Sequence, residues 1–120
     1  RLLIGLDEPS IKPLDEAFYD LATRDKTQWD TWLGHWWERV DGKPDLETMR
    51  SNNPKYVLRN WMAQMAIDAA QEEDDSVCNE LHELLKRPYD EQPEMVDKWF
   101  QKRPEWAENR VGCSMLSCSS

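Results

Sequence analysis

Cysteine, histidine, glycine and positive charge are all scarce in this chain, and each shortage removes a class of function. Three cysteines in 120 residues are odd in number and too few for a disulfide framework, so a reducing compartment fits better than secretion. The two histidines, His35 and His82, each stand without a Cys or His partner at ligand spacing, and no metal site is expected. No glycine-rich phosphate loop, Ser-His-Asp set or catalytic-loop His-Arg-Asp is present, so the chain has no catalytic residues for phosphoryl or nucleotidyl transfer unaided. Fifteen basic residues face 24 acidic ones, a net charge of −9, which argues against nucleic acid and against an anionic membrane surface. No apolar run approaches bilayer-spanning length. Arg1-Leu2-Leu3-Ile4-Gly5-Leu6 is too short for a signal peptide, and Asp7 and Glu8 follow at once. We read it as a cut edge inside a longer protein.

Strand-like alternation is also missing, and what is present is helical periodicity. Leu14, Phe18, Leu21 and Ala22 form one apolar stripe over 14–22. The clearest helix runs from Gln28 to Val40, with Trp29, Trp32, Leu33, Trp36, Trp37 and Val40 on one face, Thr27 as N-cap, and Gly42 and Pro44 at its end. Asp45 to Arg50 forms a short helical turn. Asn53 caps and Pro54 begins a long helix to about Gln71, carrying Val57, Leu58, Trp61, Met65, Ala66 and Ala69. Glu72-Glu73-Asp74-Asp75 is a polar connector without the spaced oxygen ligands and glycine of a calcium loop. Ser76 caps the next helix, with Val77, Leu81, Leu84 and Leu85 on its apolar face and Pro88 as its stop. A short helix is expected within 93–100. The expected fold is therefore all-α, four or five helices over 1–106 followed by a flexible, irregular, cysteine-containing tail over 107–120.

The tryptophan stripe is read as core packing, part of it facing protein absent from this chain. Cys78, beside Val77, is expected to be an inert buried or half-buried thiol. Cys113 and Cys118 lie on the tail among small polar residues, where thiols are accessible to redox chemistry. They could bridge each other, or one could pair elsewhere, or both could be uninvolved. The block Asn53-Pro54-Lys55-Tyr56-Val57-Leu58-Arg59-Asn60 is more specific than amphipathy requires. It is read either as a capped helix start with Arg59 paired to a carboxylate, or as an end that docks on a neighbouring domain.

That block resembles the carboxyl-terminal region of the selenoprotein O family. So do Leu3-Ile4-Gly5-Leu6, Ala63-Gln64, Ala66-Ile67, Pro88-Tyr89-Asp90, Pro104-Glu105-Trp106 and the terminal Ser117-Cys118-Ser119-Ser120, in that order along essentially the whole chain. The resemblance implies a C-terminal part of a larger protein with a kinase-like fold, a protein adenylyltransferase. Such a protein binds ATP in a flipped orientation with a divalent metal such as Mg and transfers AMP to hydroxyl side chains of protein substrates. It implies that ATP and metal are held in the kinase-like part, with catalytic, cofactor-binding and metal residues absent from this chain. The partners implied are that core and the protein substrates. Cys118 stands where many members have selenocysteine, and the resemblance implies a disulfide from it to a cysteine of the kinase-like part, a redox latch on activity. Cys113 departs from the simplest family tail. The ending looks like that of plant or algal members, which suggests a mitochondrion or chloroplast. Two other classes remain: a thiol oxidoreductase using Cys113 and Cys118, and a helical interaction module presenting exposed tryptophans.

Overall fold

The computed structural model describes residues 2–114. The chain divides into two compact units, parting between Asn53 and Pro54, inside the 1–106 stretch that the sequence presents as one helical region. Five α-helices and four 3-10 turns account for the regular structure of the described residues. The all-α expectation of four or five helices holds, with no strand among those residues.

In the first unit, 3-10 turns at Leu2–Gly5 and Lys12–Ala17 precede α1, Lys26–Arg39, and α2, Leu46–Asn52. The α-helix expected over 14–22 is instead a single 3-10 turn followed by irregular chain. Pro13 sets that turn, and Asp20 accepts from the Ala22 backbone N–H, a local bond that competes with helix continuation. Helix α1 starts two residues before Gln28, because Asp25 rather than Thr27 is the N-cap and accepts from Gln28 N–H at 3.0 Å. Asp45 caps α2 the same way, accepting from the Thr48 N–H at 3.0 Å and its hydroxyl at 2.7 Å. The small core is Leu6, Ile11, Leu14 and Leu33. Leu33 is fully buried, whereas Trp29 and Trp32 are 39 % and 49 % exposed. The stripe thus anchors through its one leucine, and the tryptophans flank it. Trp36 and Trp37 pack partly against the cluster, and Phe18, Trp29 and Trp32 meet edge to face at 5.3 and 5.9 Å.

In the second unit, α3 (Asn60–Gln71) and α4 (Ser76–Lys86) form a helical hairpin. Their link is the acidic connector, where Glu73 turns at φ 63° and Asp74 accepts from the Ser76 N–H. A 3-10 turn at Pro93–Met95 runs into α5, Val96–Trp99, and a last 3-10 turn spans Glu105–Ala107. The core holds Tyr56, Trp61, Met62, Ala66, Leu81, Leu84, Trp99, Ala107 and Cys113. Trp61 and Trp99 stack at 6.0 Å, and the Trp99 indole N–H donates to Glu80 Oε1 at 2.6 Å. The Lys98 ammonium reaches the same oxygen at 2.7 Å. Desolvation raises the Glu80 pKa, but hydrogen bonds from Lys98 and Trp99 and the Lys98 charge outweigh it and hold the carboxyl below its ordinary value.

Helix α3 begins at Asn60, not at Pro54. Asn53 closes α2 instead, its amide donating to Met49 O at 2.7 Å. The physical reason is tertiary: the Lys55 and Tyr56 N–H groups both donate to Pro88 O, at 2.7 and 3.1 Å. A helix through 54–59 would break those bonds and lift the Tyr56 ring from the core.

Candidate functional site

The chemistry-bearing residues of the second unit lie where its ends meet. The Tyr56 ring is fully buried, and its hydroxyl donates toward the Glu91 and Gln92 carbonyls, each at 3.0 Å. Burial, with the Glu91 and Glu94 charges adding to it, pushes the phenol pKa up and keeps it a donor. Lys55 lies over the Tyr56 and Phe100 rings and pairs with Glu91 Oε2 at 2.9 Å. Gln92 completes the arrangement. It is buried, sits in the left-handed region at φ 36°, and donates from Nε2 to Leu84 O at 3.1 Å and Arg87 O at 2.8 Å. Leu84 lies in the last turn of α4 and Arg87 is its C-cap, and the Gln92 amide adds to the backbone N–H groups of Arg87 and Asp90 that reach the same two carbonyls at 3.3 and 3.2 Å. Sequence reasoning missed Gln92; the signal was Pro93, which bars its predecessor from the right-handed helical region.

Past Ala107 the described residues form no further helix, and as far as Ser114 hydrogen bonds and an ion pair hold them. Arg110 pairs with Asp68 on α3 at 2.7 Å, and Gln64 donates to the same Asp68 oxygen at 2.8 Å. The Gln64 bond, joined by Arg110, holds the Asp68 carboxyl below its ordinary value despite desolvation. Gly112 takes φ 85°, and a Cβ there would stand 3.1 Å from Gln64 Oε1, so both conformation and space favour glycine. The Cys113 and Ser114 N–H groups donate to Arg110 O, and the Asn60 amide donates to Cys113 O at 3.4 Å. The Ser114 hydroxyl donates to Ala107 O at 3.1 Å and lies against Glu108 O. Cys113 itself is 8 % exposed, a member of the core. Its accessibility on a tail was an expectation; burial leaves it poorly placed for nucleophilic chemistry. Cys118, the other expected redox residue, lies outside the described residues.

Cys78 is exposed, not buried. On α4 it stands about 100° round from Val77, just off the arc of Leu81 and Leu84 that faces the core. His35 and His82 are both exposed, His82 beside Glu83. No group of three or more His, Cys, Asp or Glu side chains that could hold a metal occurs among the described residues. No helix among them is long and apolar enough to cross a membrane. In the first unit, Leu2, Leu3, Ile11, Leu14, Phe18, Trp29 and Trp32 border an open apolar groove of about 680 Å³.

These features define a two-unit helical protein with buried polar clasps and, among the described residues, no cluster of side chains that could hold a metal. Comparison with known proteins gives it relatives. It is 49 % identical over 121 residues to a protein of Flavobacterium johnsoniae named "Protein nucleotidyltransferase YdiU", a match covering 94 % of this chain and 23 % of the relative. Proteins of the same name from Aromatoleum aromaticum and Xanthomonas axonopodis pv. citri are 42 % and 46 % identical over 98 % and 100 % of the chain. The chain therefore spans about a quarter of the length of these relatives, and it corresponds to their C-terminal part. They are bacterial and give no indication of an organelle. No family model and no solved structure matches the chain.

Proposed function

We propose that this chain is the helical C-terminal part of a longer protein nucleotidyltransferase of the selenoprotein O type, which transfers AMP from ATP to Ser, Thr or Tyr hydroxyls of proteins. The observation that carries the reading is identity of 42–49 % along nearly the whole chain to proteins named as nucleotidyltransferases. In this reading the substrate oxygen attacks the α-phosphorus, its proton passes to a base, and pyrophosphate leaves. In this reading ATP and Mg²⁺ are held by the remainder of the protein, and no step is assigned to them here. The share of this chain is support of the kinase-like core, with Cys118 as a redox-regulatory thiol. Closing a disulfide from Cys118 to a cysteine elsewhere removes two electrons and two protons, which an oxidant such as glutathione disulfide accepts. The burial of Cys113 supports a Cys118 partner other than Cys113 and weighs against a thiol oxidoreductase built on the Cys113/Cys118 pair.

The test is incubation of the full-length protein with ATP labelled at the α-phosphate and candidate protein substrates. Label should transfer to protein, and Cys118→Ser should abolish the difference between oxidising and reducing conditions. Absence of transfer would sink the activity; identical redox response in wild type and variant would sink the latch. A helical interaction module remains as a second reading, favoured by the exposure of Trp29 and Trp32 at the groove. It requires that those indoles stay open to an aqueous quencher in the full-length protein, and shielding there removes it.

A further inference from the structure

The block 53–60 divides sharply by what the second unit uses. Lys55 and Tyr56 are bonded to Pro88, Glu91 and Gln92, and Asn60 reaches Cys113. Val57, Leu58 and the side chain of Arg59, between them, are not used; the Arg59 main chain opens α3, its carbonyl accepting from the Met62 and Ala63 N–H groups. Val57 and Leu58 are 45 % and 52 % exposed. Their N–H and C=O groups make no hydrogen bond among the described residues. Arg59 is extended at φ −110°, ψ 152°, exposed, and in no ion pair among those residues, in a chain of net charge −9. Open main-chain groups flanked by two apolar side chains and a cation are what a protein normally covers or blunts.

We propose that Val57-Leu58-Arg59 is an intramolecular docking strip, covered in the complete protein by the remaining three quarters or so of the same polypeptide. That covering surface presents apolar side chains to Val57 and Leu58, main-chain partners to their backbone groups, and a carboxylate to Arg59. The inference rests on the reading that this chain is one part of a longer protein, which the 23 % coverage of the Flavobacterium relative motivates. A second copy of the chain is the less suited occupant: with an excess of nine negative charges, two copies repel each other, whereas a covalently linked surface is already at high effective concentration.

Hydrogen exchange on the full-length wild-type protein tests this without ATP or activity, so its result is independent of whether AMP transfer is found. The Val57 and Leu58 amides should exchange roughly a hundredfold or more slower than free amides, equally at low and high protein concentration. Arg59→Ala should speed them at least about fivefold while leaving the Tyr56 amide, held by Pro88, unchanged. Fast exchange at every concentration, protection that grows only as the protein is concentrated, or no response to Arg59→Ala would each overturn the proposal. The second of these would assign the strip to a second copy instead.

Discussion

Gln92 offers the sharpest test of the second unit, because two effects meet at one residue and can be separated. Its amide donates to the carbonyls of Leu84 and Arg87, and its backbone sits at φ 36°, ψ 67°. Gln92→Ala keeps the left-handed strain and removes both bonds. Both carbonyls keep a backbone donor, Leu84 O the Arg87 N–H at 3.3 Å and Arg87 O the Asp90 N–H at 3.2 Å, so neither is left unsatisfied. Each lost bond then costs about 0.5–1.5 kcal/mol. The expected loss is about 1–3 kcal/mol. Gln92→Gly loses the same bonds but relieves a left-handed backbone, which recovers about 1 kcal/mol. Native-state hydrogen exchange at the Lys55 and Tyr56 amides reads the change locally, since both donate to Pro88 O in the turn that Gln92 fixes. Alanine should speed their exchange by roughly fivefold or more, with glycine about fivefold less severe. Exchange within twofold of wild type for both variants would refute the clasp. Glycine as damaging as alanine would refute the strain.

Tyr56→Phe removes the donor to the Glu91 and Gln92 carbonyls and should cost about 1–2 kcal/mol in denaturant unfolding. Because the folded phenol pKa is raised above its ordinary 10.0, its contribution is intact below pH about 10 and is lost as pH rises through the folded value. The Phe variant should lack that alkaline loss. Glu80 runs the other way: its folded pKa lies below 4.5, so its contribution is present above that pH and fades as pH falls through the folded value. Glu80→Gln should be less stable at neutral pH and show a flatter acid limb in melts from pH 6 to 3. A thiol reagent under native conditions should modify Cys78 rapidly and Cys113 only at the rate of local opening, as mass spectrometry of the labelled peptides will show. Leu33→Ala should destabilise the first unit by about 2–5 kcal/mol, several times the effect of Trp32→Ala, as followed by circular dichroism.

The helices that sequence periodicity located are those whose caps and stops are local. Ser76 opens α4, Lys86 closes it two residues before Pro88, and α2 and the 93–99 segment fall where expected. Where the reading failed, the deciding partner was distant. Pro54 has every local mark of a helix start, yet Pro88 O, 32 and 33 residues away, takes the N–H groups of Tyr56 and Lys55 and holds the block extended. The same logic hid the long-range bonds of residues 110–113. Arg110, Gly112 and Cys113 look like tail when only their neighbours are considered, and their partners Asp68, Gln64 and Asn60 all sit on α3.

That placement changes what the C-terminal thiols can do. With Cys113 packed among Trp61, Met62 and Ala107 and its flanks tied to α3, a Cys113–Cys118 bridge would require drawing Cys113 out of the core and breaking the bonds that hold residues 110–114. The anchor also shortens the reach of Cys118. Cys118 lies four residues on from Ser114, and an extended chain gains at most about 3.6 Å per residue. A disulfide partner must therefore present its thiol within roughly 15–20 Å of Ser114, allowing for the two side chains. Oxidised full-length protein, digested and mapped for cross-linked peptides, should join the Cys118 peptide to a single cysteine. Releasing the anchor with Arg110→Ala should broaden that to several. A wild-type protein that already yields many partners, or a dominant Cys113–Cys118 peptide, would show that residues 107–114 do not restrain the thiol.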